Sequence, residues 1–75
     1  MEERVLKVID IINEDIRNYD GDNLFEAGLL DSFIAIDLVG ELEDEFDIEI
    51  DAKYVVEENF KTKEAIIALM KKLLG

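Results

Sequence analysis

Ser32 is the only serine in the chain, and Asp31 stands directly before it. To act as a nucleophile on its own account Ser32 would need a general base, yet the chain has no histidine and no cysteine, and its nearest lysine in sequence is Lys53. A serine that receives a group from another enzyme needs only exposure and a compatible electrostatic setting. A phosphoester at Ser32 would sit at a positive helix end, where backbone amides favour an anion. Asp31 opposes that anion unless it serves the modifying enzyme or its metal ion. The plainest use of Asp31-Ser32 is an N-cap, since either side-chain oxygen can accept from the free amides of a first helical turn. The remaining chemistry is carboxylate. A calcium-loop register beginning at Asp20 finds Asp22 at the third position, but it puts Leu24 at the fifth, Phe25 where glycine is required and Asp31 at the twelfth, so it fails.

The acids are not spread evenly. From Asn18 to Ala52 there are twelve of them and no Lys or Arg, so this window carries the whole net charge of −12, while the rest of the chain balances. Such a surface repels nucleic acid and anionic lipid and favours basic proteins. Asp37, Glu41 and Glu45 repeat at four-residue spacing with no lysine to relieve them, so counter-charge from elsewhere would help. Seventy-five residues allow one small domain, spanning 1–75, and one modest core. No disulfide or thiolate site is available, no apolar run is long enough to cross a bilayer, and Met1-Glu2-Glu3-Arg4 does not open a secretory signal. The expectation is a soluble, cytoplasmic, monomeric protein that is not an enzyme.

Helical elements must position Ser32. Val5, Ile9, Ile12 and Ile16 form one face of a helix over 2–17, with Arg17 in its last turn. Asn18 to Asn23 is turn chemistry, opening a loop of about a dozen residues in which Leu24, Phe25, Leu29 and Leu30 dip toward the core. A second helix begins at Ser32 and buries Ala35, Leu38 or Val39, Leu42 and Phe46; Phe33, Ile36 and Gly40 fall off that stripe. Glycine inside a helix costs up to about 1 kcal/mol relative to alanine, so Gly40 implies close approach by another backbone or a partner. Asp47 to Asp51 alternates like a strand but has nothing to pair with, and reads as an extended connector anchored by Ile48 and Ile50. A short helical piece over 52–59 carries Tyr54, Val55 and Val56. Thr62 caps a last helix with Ala65, Ile66, Leu69, Met70 and Leu73 inward, Lys71 and Lys72 at its end and Gly75 after it.

The run Gly28-Leu29-Leu30-Asp31-Ser32-Phe33, the acidic helix to Phe46 and the 47–51 connector together resemble the acyl and peptidyl carrier proteins. That resemblance covers the whole chain. It implies an all-α four-helix bundle with a long loop between helices one and two and a short third helix. It also implies 4′-phosphopantetheine joined to Ser32 as a phosphodiester, with Asp31 assisting the phosphopantetheinyl transferase. Asp37, Glu41, Glu43, Asp44 and Glu45 would be the acidic surface read by basic partner enzymes, with Phe33 and Ile36 as apolar contacts beside the arm. Burial of Phe33 against the loop is the competing use. Those partners would be adenylating ligases, acyltransferases or synthases. Fatty-acid carriers typically have leucine after the serine and a small residue before the aspartate, whereas Leu-Leu-Asp-Ser-Phe is more similar to free-standing D-alanyl and other aminoacyl carriers. The function implied is a carrier that holds an acyl or aminoacyl group as a thioester. The alternatives are an acidic interaction module without a prosthetic group and, disfavoured by the missing base, a minimal hydrolase.

Overall fold

The computed structural model describes residues 2–75. Helix α1 (Glu2–Ile12) buries Val5, Val8 and Ile9 and places Glu2 and Glu3 in its first turn, where the helix dipole favours acids. It is shorter than the periodicity predicts. Asn13 leaves the helix in an extended conformation (φ −165°), and its side chain accepts from the Asp15 amide, so a separate 3-10 turn, Glu14–Ile16, follows. Asparagine offers its own oxygen to nearby amides, and here that local bond ends the helix. Ile16 still reaches the core. Arg17, expected in the last turn, folds back to bond Asp10 (2.9 Å) and Glu3 (3.0 Å). These two carboxylates raise the Arg17 pKa above its usual range, Asp10 contributing most.

The loop is packed by its own side chains. Leu24 and Leu30 are buried, with Phe25 and Leu29 half-buried against them. The Leu24 carbonyl accepts from the amides of both Leu29 and Leu30, and Gly28 turns the chain at φ +80°, a left-handed conformation that favours glycine. The Leu24 amide donates to the Lys61 carbonyl at 2.6 Å, and Lys63 Nζ donates to the Tyr19 carbonyl at 3.0 Å. The loop is thereby tied to the chain leading into the last helix.

Helix α2 (Ser32–Phe46) buries Ala35, Leu38 and Leu42; of the two candidates Leu38 is the fully enclosed residue and Val39 lies half-buried. Its C-cap, Asp47, is left-handed (φ 53°), and the amides of Asp47 and Ile48 both return to the Glu43 carbonyl. The extended connector follows, with Ile50 buried and Ile48 half-buried.

The piece read as one short helix over 52–59 is two: a 3-10 turn, Ala52–Tyr54, and helix α3 (Glu57–Phe60). Val55 and Val56 separate them, a β-branched pair of low helix propensity, with Val56 extended. The buried side chain here is Phe60, not Tyr54, Val55 or Val56. Helix α4 (Lys63–Leu74) starts where expected, the Thr62 hydroxyl accepting from the Ala65 amide at 3.0 Å, and ends at Gly75 with φ +82°.

Helix α1 packs against both α2 and α4, and α3 packs on α4. Arg4 meets Glu45 near the end of α2, and Glu2 meets Lys71 near the end of α4, so α1 runs antiparallel to both. The N-termini of α2 and α4 therefore point the same way, toward the loop. The described residues form an all-α four-helix bundle with no strand. None of their helices is long and apolar enough to cross a membrane.

Candidate functional site

Asp31, not Ser32, caps α2. Its Oδ1 accepts from the Ile34 amide at 2.9 Å and its carbonyl accepts from the Ala35 amide at 2.8 Å. The Ser32 hydroxyl is left out of the cap and exposed, at the first position of the helix. The Ser32 and Phe33 amides have no acceptor within the helix, because intrahelical bonding begins further along. A phosphodiester on Ser32 would lie beside these donors and the positive end of the macrodipole. Those features fit a phosphate-linked arm.

Ser32 stands at the rim of a cleft of about 290 Å³ between α2 and α3. Ser32, Ala35 and Ile36 form one wall; Val55, Val56 and Phe60 form the other, and Phe25 closes the loop end. Glu57 is the only ionisable side chain lining it, and Asn23 Nδ2 donates to its carboxylate at 2.8 Å. No lysine lines the cleft, so the base that a serine nucleophile would need is not supplied there. Ile36 and Val55 also line a second, more open hollow bounded by Val39, Glu43, Ile50 and Ala52.

The outer face of α2 carries the other expected residues. Phe33 is 81% and Ile36 61% exposed, so Phe33 is not folded against the loop. Asp37, Glu41 and Asp44 are exposed as well. The remaining two acids of this helix have partners within the chain. Glu43 is half-buried, and its carboxylate accepts from the Ile50 amide at 2.7 Å, so it braces the connector. Glu45 is held by Arg4, whose Nε donates to its carboxylate at 3.0 Å while Nη2 donates to its backbone carbonyl at 2.9 Å. The guanidinium also lies 4.5 Å from the centre of the Phe46 ring. Arg4 thus supplies, from outside the acidic window, the counter-charge that window lacks. Among the described residues, no group of three or more acidic side chains is placed to hold a metal ion.

Two participants escaped the sequence reading. Phe60 is the cleft's buried wall, and its signal was its place as the one large apolar residue in the polar run 57–63. Arg4 had no signal, since nothing local connects it to a helix forty residues away.

A sequence model of the family described as "Phosphopantetheine attachment site" matches residues 2–70. The chain is 33% identical over 76 residues to the D-alanyl carrier protein of Leuconostoc citreum, covering all of this chain and 97% of that one. It is 38% identical over 64 residues to the D-alanyl carrier protein of Streptococcus mutans, covering 84% of this chain and 81% of that one. A D-alanyl carrier protein of Streptococcus uberis is 31% identical over 74 residues, 97% of this chain and 94% of its own. No solved structure matches at comparable significance.

Proposed function

This chain belongs to the phosphopantetheine attachment site family, and from that premise we propose that Ser32 is its attachment residue and that the group it carries is an amino acid. The observation that carries the reading is the setting of Ser32: the sole serine, exposed, freed from capping by Asp31, at the positive end of α2 and the rim of the cleft. The arm's terminal thiol holds the carried group as a thioester, a reactivity absent from a chain without cysteine or histidine. The amides of Ser32 and Phe33 and the helix dipole offset the phosphodiester charge. Asp31 positions Ser32 through its cap, and its second carboxylate oxygen stays available to the transferase.

The choice of an amino acid rests on the relatives' names, D-alanyl carrier protein, and on the shared length of chain. The packed interior supports a small cargo held outside the bundle: Leu24, Leu38, Leu42 and Ile66 have no exposure. Phe33, Ile36, Asp37, Glu41 and Asp44 form the docking face for a phosphopantetheinyl transferase and an adenylating ligase with basic surfaces. Glu45 lies on its flank, shared with Arg4. The reading places the protein in the cytoplasm, with the coenzyme A that donates the arm. On this reading the chain performs no catalysis of its own.

Incubation with a promiscuous phosphopantetheinyl transferase and coenzyme A, followed by intact mass measurement, tests the proposal. The expected result is a gain of one 4′-phosphopantetheine group that Ser32→Ala abolishes. A parent chain that gains nothing would sink the proposal.

A further inference from the structure

Gly40 lies near the middle of the face that α2 turns away from the core, and nothing within the chain accounts for it. A Cβ at this position meets no atom within 4 Å, and its φ is not left-handed. The close approach by another part of the chain that the sequence implied is therefore absent. A glycine inside a helix is destabilising unless something else requires it.

Its neighbours at helical spacing are Phe33 and Ile36 on the side toward Ser32, and Asp37, Glu43 and Asp44 on the others. The two apolar side chains are largely exposed. Gly40 is thus the floor of a notch, apolar toward the arm and acidic away from it. A helix crossing there could approach to the short end of the usual range of about 8 to 10 Å between axes.

Charge selects the occupant. A second copy would bring the same acidic face, and lipid headgroups or nucleic acid would bring more negative charge; all three are repelled. A protein helix with a large apolar side chain bracketed by Lys or Arg is complementary on both counts. The notch lies about 12 Å along the axis from Ser32, eight residues at 1.5 Å each. An enzyme acting on Oγ must cover the start of the helix, whereas one acting at the far end of a long arm can grip the carrier further along.

We propose that the Gly40 notch receives a large apolar side chain on a basic helix of the adenylating ligase that loads the arm, which makes Gly40 a determinant of partner choice. This rests on the carrier reading above. The test compares the full chain with Gly40→Ala and Gly40→Leu, both of which have open space for the added atoms. Three quantities are measured: melting temperature, rate of arm installation by the transferase, and affinity of the unmodified chain for a ligase that charges the parent. Gly40→Ala should raise the melting temperature by roughly 4 to 8 °C. Both variants should take the arm at the parental rate. Ligase affinity should fall in Gly40→Ala and by about tenfold or more in Gly40→Leu, the loss expected when a partner's knob meets a filled hole. Unchanged ligase affinity in Gly40→Leu overturns the notch alone, as does a parallel fall in arm installation, which would indicate a disturbance of the whole helix. A parent chain that takes no arm overturns the carrier reading and the notch's partner with it.

Discussion

Asp31 has two separable roles, a cap and a carboxylate, and substitution can divide them. Its Oδ1 bond to the Ile34 amide (2.9 Å) is lost in Asp31→Ala, while the backbone bond from its carbonyl to the Ala35 amide survives in any variant. Loss of an N-cap side chain costs about 1 kcal/mol, within a range of roughly 0.5 to 2. The negative charge at a positive helix end adds roughly 0.3 to 1 kcal/mol, toward the low end here because Asp31 is exposed. For a domain of this size each kcal/mol shifts melting by roughly 4 to 8 °C, so Asp31→Ala should melt about 5 to 10 °C below the parent. Asn ranks with Asp as a cap, so Asp31→Asn should lose only the charge and melt within a few degrees of the parent. Arm installation, followed by intact mass against time, then separates the roles. A carboxylate that acts directly in the transfer predicts that Asp31→Asn installs the arm as slowly as Asp31→Ala although it folds like the parent. Installation by Asp31→Asn at the parental rate would refute the direct role, and an unaltered melting temperature in Asp31→Ala would refute the cap.

Arg4→Ala removes the bond to the Glu45 carbonyl, the ion pair and the ring contact together, and should lower stability by about 1 to 2 kcal/mol in calorimetry at low salt. The pair is roughly half exposed, so 1 M salt should shrink the ion-pair share of that difference and leave the carbonyl bond. The pH dependence follows from Glu3, whose pKa is lowered from 4.5 by its hydrogen bond to Arg17 and then by that residue's charge. A depressed folded pKa contributes stability above the unfolded value that is lost as pH falls through the folded one. Glu3→Gln should therefore make the decline in melting temperature below about pH 4.5 shallower than the parent's; an unchanged acid limb would contradict the pairing.

Where a feature depends on local periodicity or on one side chain bonding nearby amides, the sequence was enough. The start of α2 at Ser32, the Thr62 cap and the loop leucines all follow from neighbours within a few positions. Misreadings arose where a local competitor or a distant contact decided the outcome. Asn13 ends α1 through a bond two residues long, invisible to an apolar count that still finds Ile16 in phase. Val55 and Val56 interrupt the third helical segment because propensity outweighs length over so short a stretch. Ser32 was legible as a site because it is unique, but whether it or Asp31 capped the helix depended on geometry. Glu43 and Glu45 look identical to Asp44 in sequence; only the paths of the connector and α1 assign them to Ile50 and Arg4.

Helix α2 departs from local stability rules more than any other element of the bundle. It has no base in its last turn, and Glu43, Asp44 and Glu45 crowd the end where the dipole favours cations. It contains a glycine that no contact requires, exposes Phe33 and Ile36, and ends in an aspartate held left-handed. One arginine offsets part of this strain, and it reaches the flank of the helix, leaving Asp37, Glu41 and Asp44 unneutralised on the outer face. The inner face shows no comparable conflict, since Ala35, Leu38 and Leu42 pack with little or no exposure. Violations confined to one face of one helix, adjoining the sole serine, argue that this face is adapted to partners rather than to the fold. The same logic predicts where stabilising substitutions will be easiest to find, and that those on the outer face of α2 will weaken docking as they raise the melting temperature.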